Sequence, residues 1–343
     1  MQTRLNDLSC AINFKEFERI FDSSLSSCLS SKLNETLKGK RIIFCDDEKS
    51  LVPIDGWGIA GDSYFATPLI SIKPIMNNTL VSAIDSSSIK IAETEEGSLY
   101  GVKCGVAISI CCQAVMHFKI GPMLLYLSEQ TIKHSELDHR LVRVVLTDND
   151  SAKRLIRVRV ERALLMGLSG RIKLSIILID GSLKSSLFED KHQSLKHVAE
   201  NCSLGQSALI GITKNTKLKI LERISTPLVK IKGPAYMDVE SIIKSLIRDS
   251  FGNNLLVKFS ENSPILRADV LATRYNKDES LGKLLGNDSI AHGYPETLRL
   301  AHHISTFTKT EVCCLRGHVL NNYEVTQLAS EDIRKTLLGS SLT

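Results

Sequence analysis

Two short apolar runs that each end in an aspartate constrain the fold more than any other feature of the sequence. In LSIILIDGSL a run of large apolar residues precedes Asp180, and in VSAIDSSS the matching place is held by Asp85. An apolar run this short is typical of a strand buried on both faces of a sheet. An acid at the end of such a strand can meet solvent at the rim of the sheet. The sequence therefore predicts two carboxylates at the ends of neighbouring strands.

The segments around these runs predict an α/β fold. LVSAID, SIKIAET and LYGVKCGVAISICC follow one another closely and suggest an antiparallel meander. Further strands are predicted at 174–180, 208–212, 255–259 and 265–273. Helices are predicted at 14–38, 151–166, 189–202, 278–286, 295–308 and 324–338. Strands first, and then strands alternating with helices, indicate a mixed sheet flanked by helices. Residues 1–75 are expected to form a helical and irregular N-terminal segment, and residues 76–343 the main domain.

Composition and missing motifs exclude several classes of protein. The chain has 343 residues and a net charge of +5, which permits a nucleic-acid partner without requiring one. Its nine cysteines include no C-x-x-C spacing, so a zinc site is not expected and the thiols fit a reducing cytoplasm. No apolar run is long enough to cross a membrane. The sequence contains no P-loop, no G-x-S-x-G and no H-E-x-x-H.

The paired aspartates allow two interpretations. If their strands are neighbours, the two carboxylates repel each other unless a cation lies between them. Hard oxygen ligands suit Mg²⁺ or Mn²⁺. Alternatively, Asp-Gly-Ser and Asp-Ser-Ser are turn residues at strand ends and nothing more.

Two helical segments carry further candidates. DSAKRLIRVRVERALLMG places Glu161 at the edge of an apolar stripe and four residues after Arg157, where the two could also form a surface ion pair. The basic residues of this segment are expected to be solvated or to meet phosphates. In HGYPETLRLAHHIS, Pro295 suits a first helical turn, which places Tyr294 and His302 about two turns apart. Periodicity does not choose between His302 and His303 as a functional residue.

Taken in order along the chain, these motifs resemble the NurA nuclease family. The resemblance runs from about residue 80 to 320 and rests on AIDSS, the basic helix with Glu161, LIDGSL, LIGITK and GYPETLRLAHH. It implies an RNase H-like core with a manganese-dependent active site. By position it matches Asp85, Glu161 and Asp180 to the family's metal-binding carboxylates, and it matches Tyr294 and His302 to the family's late tyrosine and histidine, which selects His302 over His303. The resemblance therefore implies that these five residues are catalytic. Ser86 follows Asp85 where the family usually has glycine.

The resemblance also implies a function and partners. The expected activity is a metal-dependent deoxyribonuclease with two Mn²⁺ ions, or Mg²⁺, held by Asp85, Glu161, Asp180 and His302. Tyr294, Lys214 and Arg157 are the expected contacts to DNA. Single-strand endonuclease and 5′–3′ exonuclease activity in end resection, a homodimer and a HerA-type hexameric helicase as partner are expected. Glu93, Glu95 and Glu96 are alternative carboxylates to Glu161, and a non-catalytic DNA-binding or ATPase-binding adaptor is the alternative function.

Overall fold

Long strands fill the first half of the described chain, and helices alternate with shorter strands in the second half. The computed structural model describes residues 33–45, 67–133, 135–214 and 219–328. The strands are β1 (Arg41–Phe44), β2 (Leu69–Ser71), β3 (Val81–Glu93), β4 (Gly97–Ile110), β5 (Gln113–Ser128), β6 (Ile176–Asp180), β7 (Ala208–Thr213), β8 (Ala235–Asp238), β9 (Asn253–Lys258), β10 (Leu266–Leu271), β11 (Ile290–Ala291), β12 (Tyr294–Pro295) and β13 (Thr326–Gln327). The helices are α1 (Leu33–Leu37), α2 (Glu129–Ile132), α3 (His139–Thr147), α4 (Asn149–Arg171), α5 (Leu195–Leu204), α6 (Lys219–Ile224), α7 (Thr226–Val229), α8 (Glu240–Leu246), α9 (Lys277–Asn287), α10 (Glu296–Ser305) and α11 (Lys309–Asn322).

The centre of the fold is a mixed sheet with the strand order β5-β4-β3-β6-β7. β3, β4 and β5 form an antiparallel meander, while β6 is parallel to β3 and β7 is parallel to β6. The segments predicted as two strands, LVSAID and SIKIAET, are joined in β3, and β5 is the third strand of the meander. Numbered along the chain, this is the order 3-2-1-4-5 with the second strand reversed, which is the arrangement of an RNase H-like sheet. The predicted fold class is therefore confirmed. β10, β9, β8 and β2 extend the sheet beyond β7, each antiparallel to its neighbour.

Helices cover both faces of the sheet because successive side chains of its strands point to opposite faces, and both faces are apolar. On one face, Ile156 and Val160 of α4 pack with Ile84 and Val106 in a buried cluster. On the other face, Leu298 and Ala301 of α10 and Leu281 of α9 pack with Val81, Ala83 and Leu178. Neighbouring residues of β3 therefore point to different helices, and this alternation decides where each polar side chain of the strand lies.

The ends of the chain test the sequence predictions only in part. Of the helix predicted at 14–38, only α1 falls among the described residues. The helix predicted at 324–338 is wrong at its start, because Thr326 and Gln327 form a short strand paired with β1; residues 329–343 lie outside the described ranges. β1 and β2 both join the main sheet, and the division after residue 75 stays a prediction. No helix within the described ranges has the length and apolar character needed to cross a membrane.

Candidate active site

Asp85 lies within a strand and not at the end of one, so this part of the prediction from VSAIDSSS was wrong. β3 pairs with β6 only as far as Ile84, but its pairing with β4 continues to Glu93. Among the described strands, none pairs with this edge of β3 between Ile84 and Ala92, where β1 joins it. Asp85, only 3% exposed, therefore lies where β3 and β6 separate.

Asp180 is the last residue of β6, as predicted, and lies level with Asp85. The register pairs Ile84 with Ile179, so each aspartate stands one residue beyond a matched position on adjacent parallel strands. Their side chains consequently leave the same face of the sheet. Gly181 follows with a φ of +126°, a conformation that side-chain-bearing residues rarely adopt, and this turns the chain sharply after the acid. Lys214, just after β7, donates a hydrogen bond from Nζ to Oδ2 of Asp180 over 2.9 Å.

Helix α10 brings an imidazole and a hydroxyl to Asp85. His302 Nδ1 lies 2.7 Å from Asp85 Oδ2, and Ser305 Oγ donates to the same oxygen over 2.9 Å. The possible ligand atoms of Asp85, Asp180 and His302 all lie within 4.8 Å of one another. The structure thus brings His302, and not its neighbour His303, to the two acids.

A close crossing of α10 over β4 sets this arrangement. Gly105 of β4 pairs with Asp85, and a Cβ atom added to it would meet the carbonyl oxygen of Ala301 at 2.3 Å. The helix backbone therefore rests directly on the strand backbone, at a distance that only glycine permits. This contact fixes the height of His302 above the sheet.

Glu161 reaches the same region from the other face of the sheet. Ser86, the residue after Asp85, points toward α4 and donates a hydrogen bond to Glu161 Oε1 over 2.6 Å. Burial raises the pKa of Glu161, Arg157 and the Ser86 hydrogen bond oppose this, and the charge of Asp85 adds to the rise. Arg157 itself is half exposed and lies 3.7 Å from Glu161 Oε1. Glu161 is therefore an electrostatic neighbour of Asp85, but it is not among the three residues whose ligand atoms converge.

Tyr294 belongs to a short strand and not to the helix that follows it, which corrects the helical-wheel argument. β12 pairs with β11, and α10 begins at Glu296 with Pro295 as its N-cap. The Tyr294 ring lies under Lys214, whose Nζ is 4.7 Å from the ring centroid. Its buried hydroxyl makes no well-aligned hydrogen bond among the described residues, but it lies within reach of the Asp180 carboxylate. Burial, followed by the charges of Asp180 and Asp85, raises the pKa of Tyr294.

The alternative acids lie elsewhere. Glu93, Glu95 and Glu96 pair with Lys90, Arg41 and Lys40, at the far end of β3 and the turn after it. None of them belongs to the converging group.

Two arginines of α4 that were expected to be solvated are buried. Arg159 is 2% exposed and pairs with Asp190 over 2.8 Å, and Arg162 is 5% exposed and pairs with Glu189 over 2.7 Å. These partners follow β6 in the chain, so the two ion pairs attach the segment after Asp180 to α4. Neither arginine is placed to meet a phosphate.

Sequence reasoning missed Ser86 and Ser305. Ser86 was treated only as a departure from glycine, yet its hydroxyl links β3 to Glu161. Ser305 lies three residues after His302, and positions three apart share a helix face. That spacing was the available signal for Ser305.

The fold and this cluster define a class of protein, an RNase H-like α/β protein with carboxylates gathered where adjacent parallel strands separate. The chain belongs to the NurA family of nucleases, because the model of the NurA domain matches residues 79–306, more than half of the chain.

Comparison with solved structures gave low sequence identities. The NurA nuclease from Sulfolobus solfataricus is 14% identical, with a TM-score of 0.47 and 74% of this chain and 87% of that chain covered. A structure of NurA bound to dAMP and manganese is 11% identical, with a TM-score of 0.45 and coverage of 74% and 90%. The catalytic domain of human Endonuclease V is 12% identical, with a TM-score of 0.35 and coverage of 78% and 91%. No curated protein sequence matched the chain.

Proposed function

We propose that this chain is a metal-dependent deoxyribonuclease that hydrolyses phosphodiester bonds. The observation that carries the proposal is the convergence of Asp85, Asp180 and His302 at the point where β3 and β6 separate. In parallel sheets, the carboxyl ends of strands where neighbours diverge are the usual place for ligands. Membership of the NurA family supports a nuclease activity.

The donor set fits a hard divalent cation. Two carboxylates and one imidazole are ligands that Mn²⁺ accepts, and the carboxylates also suit Mg²⁺. Both described hydrogen bonds to Asp85 reach Oδ2, so its other oxygen is left for a further ligand. The Lys214 ammonium group beside Asp180 indicates that this position already balances negative charge with a cation. Manganese is bound in solved NurA structures, and membership of the same family supports Mn²⁺ here.

We assign the metal to Asp85, Asp180 and His302. Glu161, the fourth expected ligand, bonds Ser86 on the α4 side and would act on the metal through the negative charge it adds beside Asp85. Two bound ions would supply positive charge to the phosphoryl oxygens and a nucleophile active at neutral pH. His302 donates from Nδ1 to Asp85, which leaves the lone pair of Nε2 to bind a ligand or accept a proton. The His302 side chain is 52% exposed, so this nitrogen can reach substrate or solvent.

Tyr294, Lys214 and Arg157 are proposed to contact DNA. Lys214 and Arg157 are each about half exposed and each next to a carboxylate of the site, so both can turn to a phosphate. The buried Tyr294 hydroxyl lies close to the Asp180 carboxylate, where it can donate to a substrate oxygen.

The finer activity rests on the family resemblance. It comprises endonucleolytic cleavage of single-stranded DNA, 5′–3′ exonuclease activity in DNA end resection, a homodimer and a HerA-type hexameric helicase as partner. The sequence contains no P-loop, so the proposed division of labour places ATP hydrolysis in the partner.

Asp180→Asn tests the assignment directly. Cleavage of labelled single-stranded DNA in Mn²⁺ is expected to fall at least ~100-fold, because even the residues that support metal ligands are worth 10–100-fold. Glu95→Gln is the matched control, since Glu95 is an exposed acid outside the cluster, and its activity should equal that of the wild type. EDTA should stop cleavage by the wild type. Full activity of Asp180→Asn in a folded protein would exclude the proposed centre.

The wild-type protein also separates the alternatives. DNA binding without cleavage in either Mn²⁺ or Mg²⁺ would indicate the non-catalytic adaptor. Hydrolysis of a phosphomonoester with no cleavage of DNA would indicate a phosphatase.

A further inference from the structure

A groove on the β5 side of α10 carries more positive than negative charge. Successive registers pair Asp85 with Gly105 and Gly105 with Lys119, so these three residues form one row across β3, β4 and β5. Residues paired in this way point to the same face of the sheet. β5 lies two strand spacings from β3, about 10 Å, so Lys119 is on the face of Asp85 but beyond the helix that crosses at Gly105.

The two neighbouring histidines of α10 divide between these places. His302 contacts Asp85 on β3, whereas His303 lines the groove together with His117 and Lys119 of β5. His117, Lys119 and His303 are all exposed. The groove therefore begins one residue away from the acidic cluster and continues across the meander.

One side of the groove is held in place by a buried ion pair. Lys103 is 3% exposed and donates to both oxygens of Glu311 at 3.0 and 2.9 Å. Glu311 also closes a capping box with Thr308 at the start of α11. Burial raises the pKa of Glu311, but hydrogen bonds from Lys103 and the Thr308 backbone outweigh it and lower that pKa to about 2. Glu311 is thus a fixed anion committed to Lys103.

Lys119 is held much more loosely. Its Nζ lies 3.6 Å from Glu311, and its side chain is 51% exposed. Exposed ion pairs of this kind contribute little, with a median of ~0–1 kcal/mol. Lys119 can therefore exchange Glu311 for another anion at small cost. The two lysines and one glutamate that line the groove give it a net charge of +1, with its histidines counted as neutral.

We propose that this groove binds the phosphate backbone of the DNA strand next to the phosphate that is cleaved at the proposed metal site of Asp85 and Asp180. The inference rests on the proposed nuclease function and adds a second anchoring point for the same strand. Lysine, histidine and threonine side chains facing the groove can donate to phosphate oxygens, which makes the contact independent of sequence. Lys119 is the mobile contact, His303 is the contact nearest the acids, and Lys103 with Glu311 forms the rigid wall.

Binding without cleavage tests the groove separately from the catalytic centre. The dissociation constant of a labelled single-stranded oligonucleotide would be measured by fluorescence anisotropy in EDTA over a series of salt concentrations. Lys119→Ala is expected to weaken binding about tenfold, as for the loss of one hydrogen bond to a charged group. The slope of the logarithm of the association constant against the logarithm of the salt concentration should become less negative by about 0.7, the value for one phosphate contact of a single strand. His303→Ala should weaken binding in the same direction.

Lys191→Ala is the matched control. Lys191 is an exposed lysine with one loose glutamate partner, 3.5 Å from Glu136, and it does not line the groove. Its dissociation constant and salt slope should equal those of the wild type. Unchanged affinity and slope in Lys119→Ala would overturn the proposal that the groove binds DNA. A variant that loses affinity for mononucleotides but binds oligonucleotides as the wild type does would overturn it as well. Failure of the nuclease proposal is a different result, in which the wild type cleaves no DNA in Mn²⁺.

Discussion

Replacing Gly105 with alanine should separate the helix α10 from the sheet and uncouple His302 from Asp85. The added Cβ would stand 2.3 Å from the carbonyl oxygen of Ala301, and it would also crowd Ile304 at 3.0 Å. A carbon and an oxygen need about 3.3 Å, so the helix must rise by about 1 Å. The hydrogen bond between His302 and Asp85, 2.7 Å long, would then open to about 3.7 Å, beyond hydrogen-bonding range.

This displacement has a cost in both activity and stability. A misplacement of ~1 Å at a catalytic group can cost about 100-fold in rate, and that is the loss expected for single-turnover cleavage of single-stranded DNA in Mn²⁺. Overpacking of this kind costs about 1–3 kcal/mol of unfolding free energy. For a chain of this size, with about 2.1 cal/mol/K of unfolding entropy per residue, that lowers Tm by about 1–4 °C. The variant should therefore remain folded at 25 °C and lose most of its activity.

Gly170→Ala is the control for the substitution itself. Gly170 lies near the end of α4, and a Cβ there would meet nothing within 4 Å. Alanine at this position should raise the unfolding free energy by about 0.5–1 kcal/mol and leave the cleavage rate unchanged. A Gly105→Ala protein that cleaves within threefold of the wild-type rate would refute the claim that this crossing positions His302.

Two further predictions concern the groups around Asp85. Ser305→Ala removes one of the two hydrogen bonds to Asp85 Oδ2. Calorimetric titration should show Mn²⁺ binding weakened about 10–100-fold in this variant and restored in Ser305→Thr. An unchanged affinity would mean that Ser305 does not position the acid. Glu161→Gln should be more stable than the wild type in metal-free buffer at pH 7 but not at pH 4. Burial raises the folded-state pKa of Glu161 above its ordinary 4.5, so the folded protein holds the proton longer than the unfolded chain and loses stability as pH rises between the two values. Denaturant unfolding at both pH values would measure this, and equal differences at pH 4 and pH 7 would contradict it.

The sequence was sufficient to predict the fold class because its apolar runs have clear lengths and periods. The strand ending at Asp180 and the helix carrying Glu161 both follow from local pattern. The strand-rich region after residue 80 was also predicted, but LVSAID and SIKIAET were expected as two strands and the structure joins them in β3. Asp85 was misplaced because SSSIKIAE looks like the start of a new strand, while in the structure its pairing with β4 carries β3 through the three serines. The local sequence pattern does not show which strand will pair with β3.

The parts of the site that were missed depend on contacts between distant segments. Arg159 was expected to be solvated because its partner Asp190 lies 31 residues away, on a segment with no pattern of its own. The choice of His302 over His303 required the family resemblance, since it depends on where α10 crosses β4. Tyr294 was assigned to a helix because Pro295 suits a first turn, but Pro295 is the N-cap and the tyrosine precedes it. In each case the local sequence allowed more than one structure, and contacts between distant segments decided between them.

The alternation of β3 limits how the length of this chain can vary. Asp85 and Ser86 are adjacent, yet one serves the α10 face and the other the α4 face, so inserting a single residue before them would exchange their roles. The pairing of β3 with β4 is continuous from Val81 to Lys90, and its irregularity falls only between Lys90 and Ala92, after both residues have been placed. Insertions and deletions are therefore tolerable beyond that bulge, whereas the ten residues before it must keep their number.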